Sequence, residues 1–140
     1  MGHQVSVIDR TVAKTNEWLD RLSRELGTED RQRAYGLLRA VLHALRDRIG
    51  TEVSVHLAAQ LPLLVRGIFY EGWDPGSTPQ KLTLDEFIVR VERDATLQSS
   101  AEAASATRAV MQVLQDELAP GTMDHVIAVL PDEFGVVLLN

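Results

Sequence analysis

Between residues 34 and 49 apolar side chains recur at 34, 37, 38, 41, 42, 45 and 49, the alternation of three and four that lays one stripe along an α-helix. Thr28 before it, the acids Glu29 and Asp30 in the first turn and Gly50 behind it predict a helix over about 29–49. Val12, Leu19, Leu22 and Leu26 with Trp18 predict an earlier one over about 12–26, stopped by Gly27. Thr51 is read as the cap of a third, which carries Val53, Leu57 and Leu61 into Pro62. A proline there cannot donate to the carbonyl of Ala58, so Leu61-Pro62 becomes a corner between two short helices. Leu64, Val65, Ile68 and Phe69 continue apolar to Tyr70, and Gly72, Pro75, Gly76 and Pro79 mark an open connection to about Lys81.

The second half opens with a capping box, Thr83 to Glu86, and a helix to about Asp94. Ser99-x-x-Glu102 starts a long helix to Leu118 with Ala103, Ala106, Val110, Met111, Leu114 and Leu118 on one face. Pro120-Gly121 breaks it, Thr122 is read as the cap of a helix over about 123–130, and a Leu130-Pro131 corner leads into 132–138. Period-two alternation appears nowhere. The expected fold is all-α, a single domain over 1–140.

Sliding the chain against itself by 69 residues places His56, Leu61 and Pro62 on His125, Leu130 and Pro131 without a gap, and Arg39-Ala40-Val41 on Arg108-Ala109-Val110. Over residues 12–70 there are 13 identities in 59 positions, where a chance rate of roughly one in sixteen gives about four. This predicts a tandem duplication: four-helix repeats over about 12–71 and 81–140, joined by a linker at 72–80 and packed about a pseudo-twofold axis.

Composition narrows the function classes. With 45% hydrophobic and 24% charged residues the chain is an ordinary globular sequence, neither disordered nor membrane-spanning. The apolar run from Leu61 to Tyr70 is half a bilayer span and holds Arg66. A net charge of −6 speaks against a nucleic-acid partner. Arg39, Arg46 and Arg48 form a local basic group on one helix, read as a solvated face. No cysteine and no signal-peptide pattern lead to an expected cytoplasmic location. Met1-Gly2 with Ser6 matches the N-myristoylation pattern, without the polybasic support that usually accompanies it.

Arg39 to Arg48, His56 to Pro62 and Arg66 to Pro75 together resemble the bacterial family catalogued as domain of unknown function 2267, and the resemblance covers nearly the whole chain. It implies a small helical bacterial protein with no established activity, and so no catalytic residue to carry over.

Chemistry then rests on the side chains themselves. The histidines are His3, His43, His56 and His125, and no His-x-x-x-His, Glu-x-x-His, P-loop, Gly-x-Ser-x-Gly or dinucleotide fingerprint is present. No catalytic residue, metal site or cofactor is therefore expected. Each of His56 and His125 is expected to bond within its own repeat, near the helix ends that carry Asp47 and Asp116, to the carboxylate or to a freed carbonyl near the proline corner. The competing placement brings the two imidazoles together across the pseudo-axis. Tyr70 to Pro75 is the candidate recognition surface, with Trp73 beside Asp74; alternatively Trp73 folds back to seal the inter-repeat groove. Arg66, on an apolar segment, is expected to reach the surface or to pair with Glu71 or Asp74. The preferred reading is a non-enzymatic binding or assembly module with a protein partner or a homo-oligomeric form. The alternative is a small enzyme or ligand binder with a pocket near His56, Arg66, Tyr70 and Trp73.

Overall fold

The computed structural model describes residues 5–139. Met1 and Gly2, which carry the myristoylation pattern, and His3 lie outside them. Among the described residues every regular element is a helix: α1 (Ser6–Leu26), α2 (Arg31–Ile49), α3 (Thr51–Gln60), α4 (Leu63–Tyr70), α5 (Leu84–Asp94), α6 (Ser100–Glu117), α7 (Thr122–Ala128) and α8 (Asp132–Leu138). A 3₁₀ turn, Pro75–Ser77, interrupts the connection between α4 and α5.

The boundaries follow local chemistry. Gly27, at φ +70°, ends α1 in the left-handed conformation that a side chain disfavours. Asp30 caps α2 by accepting from the amides of Gln32 and Arg33, whereas Thr28, two residues earlier, accepts from the Asp30 amide and is not the cap. Gly50, at φ +85°, separates α2 from α3, so Thr51 is the first helical residue rather than the cap. Gly121 plays the same part for α7, again displacing the expected threonine. Thr83 and Glu86 form both bonds of the capping box. Ser99 also accepts from the Glu102 amide, but the Glu102 carboxylate takes the amide of Gln98 and pairs with Arg33.

α1 begins six residues before the expected start. Val5, its N-cap, makes no side-chain cap bond. Its apolar positions are 5, 8, 12, 15, 19, 22 and 26, counting Thr15, and the C-terminal part of this stripe is buried while Val5, Ile8 and Val12 are exposed. Val12, read as part of the apolar stripe, lies outside the core.

One core runs through the molecule, built on Trp18, Leu22, Leu38, Leu42, Leu45, Phe69, Phe87, Met111, Leu114 and Phe134. The long central helices α2 and α6 touch each other; α1 lies on both, and so does α5. The short helix α4 packs on α2, α8 on α6, and α3 meets α7. A shift of 69 residues carries 31–49 onto 100–118 and 63–70 onto 132–139, close to the bounds of α6 and α8. The connection is not open chain: Asp74 caps the 3₁₀ turn, and the Gln80 amide donates to the Asp47 carbonyl at 2.7 Å, tying the linker to the end of α2.

Candidate functional site

The residues singled out from sequence do not assemble into one pocket. Arg66 neither reaches the solvent as a free cation nor pairs with Glu71 or Asp74. Its Nε donates to the Ala58 carbonyl at 2.8 Å, beside the Leu61 amide at 3.1 Å, and Nη2 to the carbonyls of Leu61 at 3.1 Å and Ala59 at 3.4 Å, so the guanidinium adds donors to the broken end of α3 at the Pro62 corner. Tyr70 and Trp73 stack with ring centroids 5.2 Å apart, and Tyr70 meets the buried Phe69 edge to face at 5.6 Å. Trp73 is thus folded back, half-buried, against the end of α4. Asp74 accepts from the Gly76 amide at 3.2 Å and shapes the turn. Glu71 pairs instead with Arg39 Nε at 2.6 Å, and that bond lowers the Glu71 carboxyl below its ordinary value and raises Arg39.

Of the three arginines grouped on α2, Arg39 keeps an exposed side chain, whereas Arg46 and Arg48 are drawn into the fold. Arg46 is 4% exposed and Asp47 5%. Arg46 donates to Asp47 through Nε at 2.8 Å and Nη2 at 3.2 Å, and through Nη1 to the carbonyls of Phe69 and Glu71. Arg90 of α5 reaches the same carboxylate at 2.6 Å. Burial pushes the Asp47 carboxyl up, but the hydrogen bonds and charges of Arg46 and Arg90 outweigh it and hold the group below its ordinary value. Arg48 donates to the Leu82 carbonyl at 2.8 Å and lies over the Phe134 ring at 5.6 Å. Each of these cations is spent on holding one segment of the fold to another.

His43 is buried on α2, with Nε2 2.7 Å from the Ile68 carbonyl. A carbonyl only accepts, so Nε2 carries the hydrogen. Burial lowers its pKa, with the Ile68 bond opposing and Arg46 and Arg39 adding to the effect.

His56 and His125 depart from the expected clamp. The Asp47 carboxylate is filled by Arg46 and Arg90, and that of Asp116 by Arg21 and Gln112. Both imidazoles instead line one open groove of about 420 Å³ where α3 meets α7, over a floor of Val53, Leu57 and Val126. No lysine, arginine or carboxylate lines it, and among the described residues no group of three or more histidine or acidic side chains is placed to hold a metal.

The other unusual surface was missed from sequence. Val5, Val7, Ile8 and Val12 at the start of α1 and Leu63 and Leu64 at the start of α4 are all between 42% and 54% exposed. A hydrogen bond of 2.9 Å from the Leu64 amide to the Thr11 hydroxyl holds the two helix starts side by side. Tyr35 of α2, also exposed, shares a shallow depression with Leu64 and Ile68 at the same end. The largest patch of exposed aliphatics on a protein is often a functional surface.

A model of a family described as an uncharacterized conserved protein, DUF2267, matches residues 15–136. The chain belongs to the DUF2267 family. No curated protein matches this DUF2267 chain. The matched stretch contains the buried Arg46–Asp47–Arg90 cluster and the His56–His125 groove, while the first turns of α1 precede it. No described helix of this DUF2267 protein is long and apolar enough to cross a membrane.

Proposed function

We propose that this protein is a non-enzymatic docking module that binds another protein surface through its apolar end, where the starts of α1 and α4 meet. The observation that carries the reading is the gathering of Val5, Val7, Ile8, Val12, Leu63 and Leu64 at that end. Five of the polar side chains in or near the core are committed to the fold: Arg46, Asp47, Arg66 and Arg90 hold it together, and His43 is sealed against Ile68. We also infer that the two halves descend from one duplicated unit, a reading supported by the matching helix bounds at the 69-residue offset.

The test uses an immobilised chain, with Ile8→Glu and Leu64→Glu compared against wild type. Both positions are exposed, so the variants are expected to melt like the parent. The reading requires that proteins retained by the wild type be lost from both variants and kept by a His56→Ala control. Identical retention on all four would refute it.

A second reading has its own observation, the convergence of His56 and His125 on one groove with an apolar floor. It makes the protein a binder of a small ligand with an apolar body and a hydrogen-bonding head. Native mass spectrometry of freshly purified protein separates the two, since a bound small molecule lost in His56→Ala and His125→Ala favours the groove.

A further inference from the structure

Resting on the docking reading, we propose that the partner at the apolar end is a second copy of this chain, seated antiparallel on α1 about a two-fold axis near Ile8. Along α1 the stripe 5, 8, 12, 15, 19, 22, 26 alternates steps of three and four, the spacing of a helix that packs against another helix along its length. From Thr15 onward the molecule's own core fills that seam; at Val12, Ile8 and Val5 it runs on with about half of each side chain exposed. An antiparallel pairing opposes Val5 with Val12 of the other copy and sets Ile8 against Ile8.

Self-pairing fits because the stripe can face its own copy. The exposed start of α1 is a ridge, and the Thr11–Leu64 bond fixes Leu63 and Leu64 beside it. A two-fold axis near Ile8 lays ridge on ridge, the self-complementary contact that an isologous interface requires, with Leu63 and Leu64 at its edge. Charge permits it as well. The molecule as a whole is at −6, which opposes association of copies, but the charged residues of the first turns of α1, Asp9, Arg10 and Lys14, are of mixed sign, and Glu71 near Leu64 is paired with Arg39. The six half-exposed aliphatics offer on the order of 500 Å² per copy, so a pair buries roughly 1,000 Å², near the floor for a specific interface. The dimer is accordingly a weak one that responds to concentration.

The absence of cysteine makes the register directly testable. Light scattering of the wild type from about 10 μM to about 1 mM is expected to rise from the chain mass toward twice that value, with Ile8→Glu remaining at the chain mass. Under mild oxidation Ile8→Cys is expected to form a disulfide-linked dimer at least tenfold faster than Val89→Cys, an equally exposed control on α5. A wild type that is monomeric throughout, a rise equal in Ile8→Glu, or equal cross-linking rates would each overturn the proposal. If the wild type is monomeric but still retains a partner that Ile8→Glu loses, self-pairing fails and the docking reading stands. If that retention is also unchanged, both fail.

Discussion

Removing the Asp47 carboxylate should be among the most damaging single changes outside the apolar core. Asp47→Ala deletes the two bonds from Arg46 and the one from Arg90, and it leaves the Arg46 charge 4% exposed with only the carbonyls of Phe69 and Glu71 beside it. Breaking a buried pair by removing one partner costs about 3–5 kcal/mol, and the two remaining carbonyl bonds place the expected loss near the lower end. For a chain of this size that corresponds to a fall of roughly 10 °C in Tm. Arg90→Met should cost less, about 1–2 kcal/mol, because Arg46 still neutralises Asp47. The double change Arg46→Met with Asp47→Leu should be far milder than the two single losses combined, since it removes both charges together. The pH dependence has a fixed sign. The folded carboxyl lies below its ordinary 3.8, so its contribution is complete above that value and is lost as pH falls through the folded pKa. Urea denaturation followed by circular dichroism at neutral pH and at about pH 3 tests both statements. A loss under about 1 kcal/mol for Asp47→Ala at neutral pH would show that water reaches Arg46 and that the cluster is not a buried ionic lock.

Leu42→Ala and Leu45→Ala, both fully buried on α2, should each cost about 2–5 kcal/mol in the same assay, and less than about 1 kcal/mol for both would place that stripe at the surface. His43 has its pKa lowered by burial from 6.5, so the unfolded chain binds the proton first and stability falls as pH drops below 6.5 toward the folded value. His43→Gln should flatten that slope between pH 8 and 5; an unchanged slope would assign it to other groups. Arg66→Ala removes the side-chain donor from three carbonyls at the Pro62 corner, of which Ala58 keeps the Leu61 amide, and should cost about 1–3 kcal/mol, with amide exchange rising at the end of α3; unchanged exchange there would show that solvent already serves those carbonyls.

The legible part of the fold was the part written locally. The stripe of α2, the stops at Gly27 and Gly50 and the corners at Pro62 and Pro131 depend on neighbours within a turn or two, and the helices end where those residues stand. Arg46 and Arg48 read as solvent-facing because a charged side chain usually is; their burial depends on Asp47, Arg90 and carbonyls from Phe69 to Leu82, partners that no spacing rule connects. The histidines failed in the same way. Asp47 was close enough in sequence to be offered to His56, but Arg46 and Arg90 already occupied it. The early start of α1 escaped because Val5 is no capping residue. With it went the exposed aliphatic ridge, since an apolar position reads the same whether the fold covers it or leaves it bare.

Hydrogen exchange measured at two protein concentrations, about 10 μM and about 1 mM, tests the docking surface most directly. The account predicts that the amides of the first turns of α1, Ser6 to Lys14, and of Leu63 to Val65 exchange several-fold more slowly at the higher concentration, while those lining the α3–α7 groove do not change. Equal exchange at the two concentrations across α1 and α4, or protection that develops at the groove instead, would contradict it.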